Sequence, residues 1–213
     1  MSLIAMQAGA GKTKLVSRVI DHFEQLPDAT LAYFNCNSED QKRRDPVNIL
    51  RSYIKQFSIS RKNDAIRDSI VQRYREIHRR GSSTRLNFNE CENLLSETIS
   101  NSQNPVLILD ALDETHIETR ERLLNSLDFL LFNCPRIKIF ISSRKDQDIG
   151  RRMQRKANLE LEASHNQGDI AGFIHVELSK MAVSSHPNLT QELRDQVMNS
   201  LLQRSEGMCV TKR

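Results

Sequence analysis

The sequence predicts an α/β fold: a three-layer sandwich with a mostly parallel five-stranded sheet, helices on both faces, and the start of an α-helical lid after it. Five short apolar segments alternate with amphipathic helical patterns, as strands and helices do around a parallel sheet. A glycine-rich turn follows the first apolar segment, and the third segment ends on a carboxylate. Only helical patterns remain after residue 163. We therefore expect a sheet domain over residues 1–163 and a partial helical lid over residues 164–213.

The glycine-rich turn over residues 7–13 has the layout of a phosphate-binding loop, since an apolar run precedes it and a helical pattern follows it. Gly9 and Gly11 allow backbone N–H groups to approach an anion, and the helix N-terminus adds partial positive charge. In such a loop Lys12 reaches the β- and γ-phosphates and the Thr13 hydroxyl ligates Mg²⁺. This layout predicts a P-loop NTPase. The predicted nucleotide-binding residues are Ala8, Gly9, Ala10, Gly11, Lys12, Thr13 and Lys14.

The loop departs from the full pattern at one place. A glycine is usual five residues before Gly11, and Met6 stands there. The alternative interpretation of this segment is an ordinary strand–turn–helix with small residues in the turn. Motifs later in the chain distinguish the two interpretations.

Three carboxylates follow the third apolar segment, residues 106–109. In P-loop proteins a carboxylate such as Asp110, at the end of a buried strand, holds the Mg²⁺ shell, usually through water. Asp113 and Glu114 come within the next four positions, and carboxylates this close repel one another unless a cation lies nearby. We predict Asp110 and Thr13 as the metal site. A solvated acidic loop is the alternative.

The fourth apolar segment, residues 137–141, runs into Ser142, Ser143 and Arg144. Small polar groups and a cation at the carboxyl end of a strand lie where ligands bind in open α/β sheets. An arginine there senses a γ-phosphate or stabilises its transfer. An ordinary surface arginine is the alternative.

The remaining elements follow from periodicity and helix-end signals. Apolar residues at helical spacing predict helices, and nearly continuous apolar runs predict strands buried on both faces. Proline at a first turn and Asn or Asp before it mark helix starts. In the first half of the chain we expect a strand over residues 31–36, a loop over 37–45, a helix from Pro46 with Asp45 as N-cap, a helix that begins at 66 and ends at Arg79-Arg80-Gly81, and a helix with a capping box at Asn89 and Glu92. In the second half we expect a helix over 119–133, an edge strand containing Leu159 and Leu161, and lid helices over 169–180 and 190–204 with Gly207 as the last C-cap.

Charge, cysteine content and the length of apolar runs limit the partners and the compartment that we expect for this protein. A net charge of +4 and a pI near 9.0 are too mild to indicate nucleic acid as a partner. The basic clusters at residues 79–80 and 151–156 are predicted to be solvated helix ends, with nucleic-acid or anionic-surface binding as the minor alternative. Four isolated cysteines indicate free thiols in a reducing compartment. No apolar run approaches the ~20 residues of a membrane span. We expect a cytoplasmic protein without a membrane partner.

The order of these motifs resembles the NACHT family of STAND-class P-loop NTPases, particularly the fungal type found in large receptors. Ordinary AAA+ proteins place a glutamate directly after the first acid, where this chain has Ala111. The similarity covers almost the whole chain, although the family's winged-helix, effector and sensor regions have no counterpart, so truncation at both ends is expected. The segments that carry the resemblance are residues 9–13, 45–52, 109–114, 139–144 and 166–170.

The resemblance implies roles for the predicted residues. Lys12 and Thr13 bind phosphates and Mg²⁺, Asp110 orders the magnesium, Asp113 and Glu114 polarise the attacking water, and Arg144 reports on the γ-phosphate. It also implies a slow ATP-hydrolysing signalling switch in immunity-like responses, cycling between ATP and ADP with GTP as the alternative nucleotide, and self-associating in the ATP form. A nucleotide-locked interaction module with little turnover is the alternative function. A small-molecule kinase is disfavoured by the Asp-Ala-Leu-Asp-Glu element.

Overall fold

The computed structural model describes residues 2–6, 11–59, 65–79, 85–144, 146–154, 157–161, 167–184 and 190–205. The strands are β1 (Ser2–Met6), β2 (Thr30–Asn35), β3 (Pro105–Asp110), β4 (Lys138–Ser143) and β5 (Ala157–Leu161). The helices are α1 (Lys12–Glu24), α2 (Gln41–Arg44), α3 (Pro46–Ser58), α4 (Asp68–Arg79), α5 (Phe88–Ser100), α6 (Ile117–Asn133), α7 (Gln147–Met153), α8 (Gln167–Ser184) and α9 (Gln191–Ser205). A 3₁₀ turn, Leu112–Glu114, follows β3.

The five strands form one sheet in the order β2-β3-β4-β1-β5, and every neighbouring pair is parallel. Parallel neighbours require crossover connections, which the helices supply. The predicted parallel five-stranded sheet is confirmed, and β5 is an edge strand as expected. Because β4 lies between β3 and β1, the strand that ends on Asp110, β3, pairs with β4 and not with β1.

Both faces of the sheet are covered, and β3 shows how. Its side chains alternate between two clusters. Val106 and Ile108 pack with Val16 of α1 on one face. Leu107 and Leu109 pack into the larger cluster formed by α3, α5 and α6 on the other. Each fully buried aliphatic side chain contributes roughly 1.5–3 kcal/mol by leaving water. The three-layer sandwich is therefore confirmed.

The start of α5 differs from its prediction. Asn87 is the N-cap: its side chain accepts a 3.0 Å hydrogen bond from the N–H of Glu90, and the Glu90 carboxylate accepts one of 2.8 Å from the Asn87 N–H. The predicted capping box at Asn89 and Glu92 is wrong by two residues. The helix begins earlier because Phe88, its first residue, is buried in the core. By contrast, α3 begins as predicted, with Asp45 as N-cap and Pro46 in the first turn.

Helices α2 and α4 also differ from the predicted elements. The predicted loop over residues 37–45 contains α2, which Asp40 caps by accepting a hydrogen bond from the N–H of Lys42. The helix expected from residue 66 starts at Asp68, because Ile66 instead forms an antiparallel bridge with Ile59. Each case is a local interaction that apolar periodicity does not register.

The chain beyond β5 is helical in its described part, as predicted. Helices α8 and α9 pack against each other. On α8, Ile170 and Ile174 are buried, whereas Phe173 and Val176 are exposed. The division into domains at residues 163 and 164 stays a prediction, and Gly207 lies outside the described residues. None of the helices in the described part of the chain combines the length and apolarity that a membrane crossing requires.

Candidate functional site

A row of polar side chains crosses the carboxyl edge of the sheet. The β2–β3 register pairs Asn35 with Asp110, and the β3–β4 register brings Ser142 beside the same residue. The Asp110 carboxylate accepts a 2.7 Å hydrogen bond from Asn35 Nδ2 on Oδ2 and one from the Ser142 hydroxyl on Oδ1. Asp110 is only 2% exposed. The buried carboxylate is therefore held in one orientation by its neighbours and is not part of a solvated loop.

The backbone turns sharply directly after Asp110. Ala111 adopts a left-handed conformation, with φ of 57°, and donates its N–H to the Ser142 hydroxyl at 3.0 Å. A residue with a Cβ costs roughly 1–2 kcal/mol in this conformation. The turn sends the chain into the 3₁₀ segment that carries Asp113 and Glu114. Ser142 thus anchors both the carboxylate and the strained residue that follows it.

Arg144 is a cation that pairs with two of the three acids, Asp113 and Glu114. Its backbone N–H donates to Asp113 Oδ1 at 2.8 Å, and its Nε lies 3.3 Å from Asp113 Oδ2. The Ser143 hydroxyl lies 3.3 Å from Oδ1 of the same carboxylate, and Arg144 Nη2 lies 3.6 Å from Glu114 Oε1. The Arg144 side chain is 54% exposed, while that of Asp113 is 9% exposed. Arg144 is therefore a paired, half-exposed cation at the acidic turn.

A buried arginine on α6 forms hydrogen bonds to this turn. Sequence reasoning did not identify it. Arg120 is 3% exposed and donates from Nη2 to the Asp113 carbonyl at 2.7 Å and from Nε to the Thr115 hydroxyl at 3.2 Å. Its Nη1 lies 2.9 Å from an Asp146 oxygen and 3.0 Å from an Asp148 oxygen, at the start of α7. One guanidinium thus connects the acidic turn to the segment after Arg144.

The described end of the glycine-rich turn lies at the same edge. Gly11 caps α1 in a left-handed conformation, φ 84°, in which glycine carries no penalty. The pKa of the following residue, Lys12, is lowered, chiefly because the side chain is buried. The negative charge of Asp113 opposes this shift, the positive charge of Arg144 adds to it, and the charges of Asp110 and Glu114 oppose it more weakly. Lys12 therefore lies within the electrostatic field of the acidic turn.

The other predicted loop residues are placed as follows. Ala8, Gly9 and Ala10 lie outside the described residues. Lys14 is exposed on α1. Met6, at the place where the pattern has glycine, is the last residue of β1 and pairs with Leu161 of β5.

The segment after β2 closes the other side of the edge. The Ser38 N–H donates to Glu114 Oε2 at 3.1 Å. Arg43 donates from Nη2 to the Asn35 side-chain oxygen at 2.8 Å and from Nε to the Asn35 carbonyl at 3.0 Å. Because Arg43 occupies the amide oxygen, the Asn35 amide nitrogen faces Asp110.

These groups surround a cleft of ≈ 380 Å³. A volume of this size lies within the range of small-molecule sites. Burial, followed by the charges of the three acids, raises the pKa of the Cys36 thiol in its wall to about 12. The cleft offers a hydroxyl, carboxylates and a guanidinium to a ligand. Its lining residues are Thr13, Asn35, Cys36, Asn37, Ser38, Glu39, Ala111, Glu114 and Arg144.

The metal prediction can be tested against the donors present. Among the described residues no group of three or more His, Cys, Asp or Glu side chains is arranged to hold a metal by itself. Mg²⁺ does not need such a group, because it keeps several waters and takes one or two protein oxygens together with substrate phosphates. Thr13 lines the cleft, and the buried Asp110 adjoins two other lining residues, Asn35 and Ala111. A hydroxyl together with a carboxylate that acts through water fits Mg²⁺ bound with a phosphate ligand.

Sequence reasoning missed Asn35, Arg43 and Arg120. Asn35 carried the same signal as Asp110, a polar residue at the end of an apolar strand, and that signal could have found it. Arg120 carried none, because a charged residue within an amphipathic helix is usually solvated.

A family model for nephrocystin 3, N-terminal, matches residues 2–144. The chain belongs to the nephrocystin 3, N-terminal family. The matched range runs from β1 to Arg144 and contains every predicted site residue. No curated protein matches the sequence. The finer resemblance to NACHT proteins and to their fungal type stays a prediction.

Two solved structures show the fold of this family member. Cdc6p from Pyrobaculum aerophilum is 14% identical with a TM-score of 0.51; the match covers 81% of this chain and 41% of that one. Drosophila ORC, in a structure bound to DNA, is 10% identical with a TM-score of 0.50, covering 98% of this chain and 51% of that one. This chain thus spans about half of their length or less. The likeness shows the α/β fold alone. It gives no support to the expectation that nucleic acid is not a partner.

Proposed function

We propose that this domain binds a nucleoside triphosphate with Mg²⁺ in the cleft and hydrolyses it slowly, as a switch. ATP and ADP are the proposed ligands, with GTP as the alternative. The observation that carries the proposal is the convergence of Lys12, at the start of α1, with the acidic turn after β3 and with Arg144. A lysine and an arginine beside buried carboxylates at a helix N-terminus form a site for phosphates and a divalent cation together.

The binding roles follow from position. Lys12 and the N-terminus of α1 hold the β- and γ-phosphates, and burial of Lys12 strengthens its attraction for them. Thr13 and Asp110 would hold Mg²⁺, which would neutralise phosphate charge when bound. Asn35 and Ser142 keep the Asp110 carboxylate oriented, because they occupy one position on each of its oxygens.

The proposed hydrolytic role falls on Asp113 and Glu114, which polarise the attacking water. In the described state Arg144 pairs with both. A γ-phosphate near Arg144 competes for its guanidinium and loosens its hold on Asp113 Oδ2. The same arginine then reports on the phosphate and releases a carboxylate for water.

A nucleotide-locked module with little turnover is the second candidate. Its support is that Asp113 is 9% exposed and that both its oxygens are occupied by Arg144 contacts. A carboxylate with both oxygens engaged by the same arginine has little hydrogen-bonding capacity left for an attacking water.

Calorimetric titration of ATP and ADP with Mg²⁺ tests the proposal. Wild type should bind with micromolar affinity and Lys12→Ala should not bind, while the control variant Arg18→Ala, which removes an exposed cation from the same helix, should retain most of the affinity. Absence of binding in a folded wild type refutes nucleotide binding. Phosphate release that depends on Asp113 supports the switch, and tight binding with release no faster than in Lys12→Ala supports the locked module.

The wider role we propose is that of a NACHT-type signalling switch in the cytoplasm, with residues 164–213 as a partial lid that contributes to nucleotide-dependent self-association. Exposed Phe173 and Val176 on α8 support an interface there. Cys36, Cys91 and Cys134 are buried free thiols, which suits a reducing compartment. Light scattering with a non-hydrolysable ATP analogue and with ADP tests self-association: equal mass in both states refutes it.

A further inference from the structure

A second cleft, of ≈ 540 Å³, lies between α2, α3 and the segment just before α5. None of its described lining residues also lines the cleft at the sheet edge. Its lining residues are Lys42, Asn48, Arg51, Ile54, Lys55, Arg85 and Leu86. We refer to it as the basic cleft.

The basic cleft concentrates positive charge. Four of its lining side chains are cationic, and none of those described is acidic. Three acids on the elements that form the cleft cap the helix starts: Asp40 and Asp45 accept backbone hydrogen bonds at the N-termini of α2 and α3, and Glu90 accepts the N–H of Asn87 at the start of α5. The ammonium groups of Lys42 and Lys55 have no ion pair within the described part of the chain.

The walls of the basic cleft are connected, so its shape exists without a ligand. Arg51 donates from Nη2 to the Leu86 carbonyl and from Nη1 to the Asn48 side chain at 3.3 Å. Asn48 in turn donates to the Lys42 carbonyl at 3.2 Å. These bonds link α3 to the segment before α5 and to α2. Ile54, 7% exposed, provides an apolar contribution to the lining.

We propose that the basic cleft binds a small, multiply phosphorylated ligand. Cations crowded into a concave surface repel one another, and a polyanion removes that repulsion. Phosphate groups combine high negative charge with oxygens that guanidinium and ammonium groups recognise. The volume suits a small molecule, and the apolar floor suits its carbon skeleton. This site is separate from the proposed nucleotide site and does not depend on it.

Calorimetric titration with inorganic tripolyphosphate tests the proposal, performed without Mg²⁺ in the Lys12→Ala background so that the nucleotide site does not contribute. The double variant Lys42→Gln/Lys55→Gln should weaken binding by about tenfold or more, because two ligand contacts are lost. Both lysines are exposed, so the fold should be preserved. The control Arg136→Gln/Lys138→Gln, also exposed and with the same change in charge, should weaken binding less than about twofold.

Two outcomes overturn the proposal. In the first, tripolyphosphate does not bind; if a short single-stranded oligonucleotide then binds in a manner that depends on Lys42 and Lys55, the basic cleft is assigned to nucleic acid. In the second, both double variants weaken tripolyphosphate binding equally, which would show non-specific attraction to a basic protein. ATP binding to wild type that is lost in Lys12→Ala is measured separately, so failure of either proposal is visible by itself.

Discussion

The backbone N–H of Arg144 donates a 2.8 Å hydrogen bond to Asp113 Oδ1, while the guanidinium of the same arginine lies 3.3 Å from Asp113 Oδ2. One residue thus holds a carboxylate with both its main chain and its side chain. The backbone contact survives any substitution at this position except proline. The side-chain contact is half-exposed, and under the proposed function a phosphate replaces it.

Arg144→Ala should separate these two contacts. We expect the free energy of unfolding to change by less than about 1 kcal/mol, because exposed ion pairs contribute little. Turnover should fall by about tenfold or more, because a group that stabilises developing charge is lost. Urea denaturation and phosphate release check the two effects. The exposed Arg151→Ala is the control, and an equal loss of turnover there would contradict the assignment.

Asp110→Asn should remove the Mg²⁺ dependence of ATP binding. The amide keeps the shape of the side chain but lacks the charge, so the affinity gained on adding Mg²⁺ should fall by about tenfold. Titrations with Mg²⁺ and with a chelator measure this gain. Asp28→Asn, an exposed acid in the turn after α1, should leave it unchanged. A full Mg²⁺ effect in Asp110→Asn would exclude this carboxylate from the metal site.

Arg120→Met should destabilise the domain. The substitution leaves Asp146 and Asp148 without their cation and the Asp113 carbonyl without a donor. Those carboxylates are about 40% exposed, so water compensates part of the lost contact. We therefore expect the free energy of unfolding to fall by about 2–3 kcal/mol, which is at or below the smallest values for broken buried ion pairs. Arg122→Met on the same helix loses a 4.0 Å contact over the Phe88 ring and should cost less than about 1 kcal/mol. Equal midpoints in urea would contradict the role of Arg120.

Asn87→Ala should cost about 1 kcal/mol, because it removes the side chain that caps α5. Asn89→Ala is the matched control, two residues along: its side chain accepts one exposed hydrogen bond from Arg122, so its loss should cost less than about 0.5 kcal/mol. Thermal or urea unfolding measures both variants. A larger loss of stability in Asn89→Ala than in Asn87→Ala would indicate that the capping box begins at Asn89.

Cys36 should make stability depend on alkaline pH. Its pKa rises from 9.0 to about 12 on folding because the thiol is buried near three acids. Below pH 9 the thiol is protonated in both states and has no effect. Between pH 9 and 12 only the unfolded chain loses the proton, so the free energy of unfolding falls with rising pH, by a slope that approaches about 1.4 kcal/mol per pH unit.

The comparison that checks this is wild type against Cys36→Ala between pH 8 and pH 10, by urea denaturation. The wild type should lose stability more steeply above pH 9 than the variant does. Parallel pH profiles would show that the thiol ionises freely in the folded chain.

Much of the fold was accessible from the sequence because it depends on local signals. The four apolar residues before Asp110 predicted a buried strand, and Asp45-Pro46 predicted a helix start that the structure confirms. Where a local signal was ambiguous, as between Asn87 and Asn89, the packing of Phe88 decided the boundary. Site residues at strand ends were predictable for the same reason as the strands themselves.

Local side-chain patterns were enough to predict the alternation of strands and helices and the chemistry at their carboxyl ends, because side-chain periodicity and turn residues act within a few positions of one another. The position of β4 beside β3 depends on tertiary contacts and was not predicted. That order brings Ser142 to Asp110 and Arg144 to Asp113, about thirty residues apart in the chain, and lets Arg120 reach α7. Strand order and buried ion pairs depend on contacts distant in sequence, and no periodicity within one segment records which distant partner it will meet.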